Sequence, residues 1–150
     1  MAIGAAMAET AGYAGDIDPR AAWDMLSRDR SAVLIDVRTS AEWAYVGAAD
    51  LSTLARKPLF VEWQSFPAMN RNENFAADLS ARLTALGAGK DAPLLFLCRS
   101  GALSAACAMT AEGYARCYNV AGGFEGDRNG DGHRGSSNGW KAAGLPWLQS

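Results

Sequence analysis

The chain has 150 residues, 49% of them apolar and 20% charged, a composition that fits one globular domain and excludes a wholly disordered or fibrous chain. Fourteen basic and sixteen acidic side chains leave a net charge of −2, so there is no basic surplus to neutralise nucleic-acid phosphates or to dock on an anionic membrane. No apolar run approaches the roughly 20 residues of a membrane-spanning helix. The three cysteines, Cys98, Cys107 and Cys117, form no CxxC pair, and a single histidine, His133, offers little to a metal site. A reduced, cytoplasmic setting is expected, with no metal and no cofactor.

Met1 to Gly15 is rich in Ala, Gly and Met but lacks the cationic start and the Leu-rich run of a signal peptide, so residues 1–15 read as a flexible tail and 16–150 as a single domain. Asp18-Pro19 offers an N-cap and a proline at the first helical position, and Ala22, Trp23, Met25 and Leu26 place apolar groups on one helical face. Ala32 to Val37 is a nearly continuous apolar run rich in β-branched residues, the pattern of a strand covered on both faces, and it carries a polar Asp36 near its end. Thr39 with Glu42 three residues later reads as a capping box that starts a short helix, broken by Gly47. Leu59 to Trp63 is a further strand candidate.

From Asn74 the spacing of Phe75, Leu79, Leu83 and Leu86 is helical, with Gly87 and Gly89 at the expected stop. Leu94 to Leu97 is the most apolar run and reads as a central strand ending on Cys98. Ala102 to Glu112 favours helix and Gly113 closes it, Cys117 to Val120 makes another short strand, and a Gly-, Asp- and Asn-rich loop precedes a last short helix at Trp140 to Ala143. Strands alternating with helices predict an α/β fold with a mostly parallel sheet. No feature sets an oligomeric state.

The segment Leu97-Cys98-Arg99-Ser100-Gly101-Ala102-Leu103-Ser104 is a buried strand, a cysteine at its carboxyl end, a short glycine-containing loop and then a helix. In open α/β sheets ligands bind at this edge. Loop amides and the positive end of the following helix dipole stabilise an anion, and the same field, with Arg99 beside it, favours thiolate over thiol. Cys98 then reads as an activated nucleophile. A cysteine at a strand end is as often a small buried hydrophobe, and local features leave both readings open.

The Cys98 loop resembles the active-site loop of rhodanese-domain sulfurtransferases, whose bacterial single-domain members commonly read Cys-Arg-Ser-Gly-x-Arg-Ser. Supporting matches are Asp36-Val37-Arg38, Glu42-Trp43, Tyr118 to Phe124 and Trp140 to Trp147, in order along roughly Asp16 to Gln149. The resemblance implies a rhodanese-like fold with about five mostly parallel strands and helices on both faces. It also implies the family's chemistry, in which a cysteine thiolate, here Cys98, takes sulfane sulfur from a donor such as thiosulfate. The sulfur is held as a persulfide and passed to cyanide or a thiol. By the same resemblance the loop Arg99, Ser100, Gly101, Ala102, Leu103 and Ser104 binds the donor, and Asp36 and Arg38, facing that loop, brace it and the Glu42 region around it.

Three departures stand out. Five residues after the cysteine the family usually has a second arginine, and this chain has Leu103. The usual Gly-His-Ile-Pro-Gly-Ala stretch is replaced by Val46 to Leu51. The final turn is extended by the Gly-rich loop Gly122 to Gly139. That loop contains Asp127 to Gly132, which matches the start of an EF-hand, but its twelfth position is Asn138 where a bidentate Glu is required, so no calcium site is expected. Three functions compete: a sulfurtransferase, a binding or sulfur-sensing module on the same fold, and a cysteine phosphatase or arsenate reductase. The phosphatases place an arginine six residues after the cysteine, where this chain has Ser104. The expected partners are a small sulfur donor and a thiol or cyanide acceptor.

Overall fold

A computed structural model describes residues 12–65, 70–98, 102–124 and 139–148. The elements in chain order are β1 (Gly15–Ile17), α1 (Pro19–Arg28), β2 (Val33–Asp36), α2 (Ser40–Tyr45), β3 (Ala48–Ala49), a 3₁₀ turn (Ser52–Leu54), β4 (Leu59–Phe60), β5 (Gln64–Ser65), β6 (Asn70–Arg71), α3 (Phe75–Ala85), β7 (Leu94–Leu97), α4 (Ala102–Ala111), β8 (Cys117–Val120), α5 (Gly139–Ala142) and β9 (Trp147–Leu148).

Five strands form one sheet in the order β1-β8-β7-β2-β4, and every pairing in it is parallel. Its two most apolar strands, β2 and β7, are buried at each position and lie side by side with Val33 opposite Leu94 and Asp36 opposite Leu97. Because successive side chains alternate between faces, the sheet divides the core in two. Val33, Ile35, Val37, Leu94 and Phe96 pack with α3 and α4, whereas Leu34, Leu95 and Leu97 pack with α1 and Trp140 of α5. The α/β class, the parallel sheet and the helices on both faces agree with the expectation from sequence.

Sequence spacing located most of the large elements. Asp18 caps α1 by accepting from the Arg20 amide at 3.1 Å, and Thr39 and Glu42 form the expected reciprocal capping box on α2. Residues 59–63 make only a two-residue strand, after which the backbone stays bonded to β2 through the Val61 amide to the Asp36 carbonyl and the Trp63 amide to the Val37 carbonyl. Five elements escaped the periodicity argument: β1, the β5–β6 pair, and the antiparallel pair β3–β9, in which Ala48 faces Leu148. Each has two or three residues, too few to establish a period. Gly15 already belongs to β1 and pairs with Tyr118. Residues 1–11 of the expected tail lie outside the described residues, as do residues 125–138 of the Gly-rich loop, with the EF-hand-like stretch and His133.

Helix α1 ends without glycine, on Asp29 in an extended conformation. A carbonyl of its last turn and three in the turn that follows are instead met from a distance. The Arg56 guanidinium donates to the carbonyl oxygens of Leu26, Asp29, Arg30 and Ala32, using both Nη1 and Nη2. This arginine does the work that a glycine C-cap performs elsewhere.

Gly47 is required by its surroundings. Its φ is +112°, and a Cβ there would come within 2.6 Å of the Leu148 carbonyl oxygen and 3.0 Å of the Trp147 ring. Gly87 also has a positive φ, +78°, but a Cβ would meet nothing within 4 Å. Gly47→Ala is therefore expected to destabilise the fold by about 2–4 kcal/mol and Gly87→Ala by only about 1 kcal/mol, the backbone penalty alone. Urea denaturation midpoints of the two variants check the difference.

Candidate functional site

Parallel packing brings the carboxyl ends of β2, β4 and β7 to one edge. Cys98 follows β7 directly, half-buried, and packs against the core cluster on the α3 and α4 side. The Val37 amide donates to the Leu97 carbonyl beside it at 3.1 Å, and the Trp63 amide donates to Val37 at 3.1 Å, so Val37, Trp63 and Cys98 share this edge. Trp63 is braced edge-on by Phe75 at 5.0 Å and covered by the Arg71 guanidinium, 4.7 Å from its ring centre. From sequence Trp63 is only the end of a strand candidate, and no local signal singles out Arg71.

Helix α4 starts four residues after Cys98 and runs for ten residues. Its Ala102, Ala105, Ala106 and Met109 are buried against the sheet, which fixes the helix with its amino end at the Cys98 edge. Small alanines allow that close approach. The positive end of the helix dipole then lies where negative charge on Cys98 would develop. Leu103 and Ser104, in the first turn, are exposed, Leu103 by 45%. Arg99, Ser100 and Gly101 lie outside the described residues.

Asp36 and Arg38 form a closed unit. Arg38 Nε and Nη2 donate to the Asp36 carboxylate at 2.8–3.2 Å, and both side chains are about 1% exposed. Nη2 also donates to the Gly47 carbonyl at 2.6 Å, and the guanidinium stacks over Phe124 at 4.2 Å. Nη1 has no hydrogen-bond partner among the described residues. These contacts put the pair on the α1 and α5 side of the sheet, across from the side on which Cys98 packs. It braces the turn at Gly47 and the start of the Gly-rich segment. Glu42 is spent on the α2 cap, accepting from the Thr39 amide and hydroxyl. A residue not foreseen, Glu62, accepts from the Ser40 amide at 2.8 Å and so ties the start of α2 to the loop after β4. The sequence separation of 22 hid this contact from local pattern reading.

The other thiols are set apart. Cys117 pairs with Leu94 at the opposite end of the strand from Cys98, a separation of about 13 Å along the sheet, too far for a disulfide. Burial pushes its thiol up to about 11, and it donates weakly to the Tyr114 carbonyl. Cys107 sits midway along α4, and burial raises its pKa as well. Neither has the exposed, low-pKa character of a reactive cysteine.

Comparison with known proteins gives consistent matches. The family model described as "Rhodanese-like domain" matches residues 18–129. A Rickettsia rickettsii protein named "Uncharacterized protein RP600 homolog" is 38% identical over 130 residues, covering 84% of this chain and 90% of the relative. The "Thiosulfate sulfurtransferase GlpE" of Actinobacillus succinogenes is 29% identical over 133 residues, 87% of each chain. Among solved structures, Rv0390 from M. tuberculosis superimposes with a TM-score of 0.81 at 47% identity, over 92% of this chain and 99% of that one. A polysulfide-sulfur transferase homodimer from Wolinella succinogenes shares the fold with a TM-score of 0.57 at 22% identity, over 99% and 89%.

Removing one partner of the Asp36–Arg38 pair leaves an uncompensated buried charge. Arg38→Met and Asp36→Asn are each expected to cost about 3–5 kcal/mol, and the double variant less than the sum of the two. A double-mutant cycle in urea measures that coupling.

Proposed function

Because the chain belongs to the rhodanese-like domain family, we propose that it is a single-domain sulfurtransferase, residues 16–150, with Cys98 as the persulfide carrier. The observation that carries this reading is the placement of Cys98, half-buried at the carboxyl end of the central strand and four residues ahead of the amino end of α4. A thiolate there is stabilised by the helix dipole, and the charge of a bound oxyanion donor by the amides of the loop.

The Cys98 thiolate attacks the outer sulfur of thiosulfate. A Cys98–sulfur bond forms, the donor's sulfur–sulfur bond breaks, and sulfite leaves with the bonding electron pair. A cyanide or thiolate acceptor then attacks the outer sulfur of the persulfide, giving thiocyanate or a new persulfide and returning the Cys98 thiolate. Stabilising the developing charge falls to the amino end of α4 and to the loop residues that the family resemblance assigns to donor binding, with Arg99 as the loop cation. Neither step needs a metal ligand or redox group. The exposed Leu103 supports a second reading, a sulfur-sensing or binding module, because it offers no cation to a dianionic donor.

Intact-mass analysis after incubation with thiosulfate or polysulfide is expected to show one added sulfur that cyanide removes. Cys98→Ser abolishes the gain and Cys107→Ser retains it; loading that persists in Cys98→Ser sinks the assignment. Leu103→Arg is expected to raise kcat/KM for thiosulfate about tenfold, since a charge-assisted contact at a partly exposed position contributes about 1–1.5 kcal/mol. A neutral persulfide donor gains much less. Absence of turnover with either donor, by either protein, selects the sensing module.

A further inference from the structure

A cavity of about 810 Å³ opens at the edge of the sheet opposite Cys98. It lies where β2 begins, between the end of α1, the stretch 55–59 and the end of α3. Its walls are leucines and small apolar groups, including Leu26, Leu34, Leu59 and Leu86, and Leu86 is 59% exposed at the mouth. The volume falls in the range of small-molecule pockets, about 300–1,000 Å³.

Its charged lining is of one sign. Arg30, Arg56 and Lys57 contribute to the wall and no acidic residue does. Arg56 is occupied by the four carbonyls of the α1 end, but those are neutral partners and leave its charge in place. Burial lowers the Arg56 pKa, the neighbouring Arg30 charge lowers it further, and Asp29 offsets this in part. Asp29 is the closest acid along the chain. Its carboxylate is turned to the Ser31 amide and hydroxyl, at 2.9 and 2.6 Å, and to Arg116 at 4.0 Å. Neither Arg30 nor Lys57 has an ion-pair partner among the described residues. An apolar cavity whose charged lining is cationic, with Arg30 and Lys57 outside any ion pair among the described residues, is complementary to a molecule with an apolar body and an anionic head.

We propose that this cavity binds a soluble amphiphilic monoanion, a carboxylate on a medium-length aliphatic chain, with Arg30 and Lys57 at the head group and the leucines around the chain. The site is separate from Cys98: Val33, at its floor, pairs with Leu94, four residues before the cysteine. Occupation therefore does not depend on sulfur transfer. It does bear on the fold, because the walls include both ends of the Arg56 linkage.

Calorimetric titration of the full chain with decanoate, below its aggregation concentration, tests this. Saturable binding is expected, with decanol at least about tenfold weaker, and the same affinity in Cys98→Ser. The exposed pair Arg30→Glu, Lys57→Glu is expected to weaken decanoate about tenfold or more while leaving the circular dichroism unchanged. Leu86→Asp, at the apolar mouth, weakens it independently. Equal affinity for decanol, an unchanged affinity in the double charge reversal, absence of saturation below about 1 mM, or burial of this face in a dimer by sedimentation would each overturn the proposal.

Discussion

Strand β7 sets the constraint from which the rest follows. Its four residues are buried on both faces, so each backbone amide and carbonyl must find its partner in β2 or β8. That requirement locks the register of the three strands, and the pleat then assigns every side chain to a face. Leu94, Phe96 and Cys98 fall to the α3 and α4 side, and Leu95 and Leu97 to the α1 and α5 side. A slip of one residue would invert the whole set and turn Cys98 to the other side of the sheet. The side of the sheet on which Cys98 lies is thus set by core packing.

The same alternation explains why Asp36, at the end of β2, and Arg38 beyond it lie on the face away from the one on which Cys98 packs. Asp36 falls on the α1 and α5 face, where Arg38 meets it, and their pairing fixes a point to which several loops are fastened. Arg38 holds the Gly47 carbonyl and stacks on Phe124, while Lys141 donates to Val46 and lies over the Trp147 ring at 4.0 Å. The amides of Trp140 and Lys141 donate to the carbonyls of Gly123 and Phe124. The two ends of the Gly-rich segment are thereby drawn together, so that a long insertion leaves the sheet undisturbed. Buried ion pairs gain little net stability, but they do so only in one geometry, which is how this one defines the arrangement of the turns around it.

The two edges of the sheet carry different chemistry. At the carboxyl edge the chain places the amino end of a ten-residue helix, a cysteine and the Trp63–Arg71 stack. At the amino edge it places cations around an apolar cavity, one of them committed to closing a helix that has no glycine to end it. Both edges follow from parallel strands, which put all strand starts on one side and all strand ends on the other.

The long, strongly patterned parts were legible from the residues alone. Continuous apolar runs marked β2 and β7, the 3.6-residue spacing of Phe75, Leu79 and Leu83 marked α3, and Asp18-Pro19 and Thr39…Glu42 marked two helix starts, because each signal lies within a few neighbouring positions. The cysteine at a strand end before a helix was likewise visible, and family membership follows from a pattern spread over most of the chain. What joins distant positions was not visible: the Arg56 linkage to the end of α1, the Ser40–Glu62 contact, the β3–β9 pairing over Gly47, and the face on which Asp36 and Arg38 lie relative to Cys98. Those are settled by register and packing between segments tens of residues apart. Local spacing records which residues share a face of one element, and only the assembled sheet decides which faces meet.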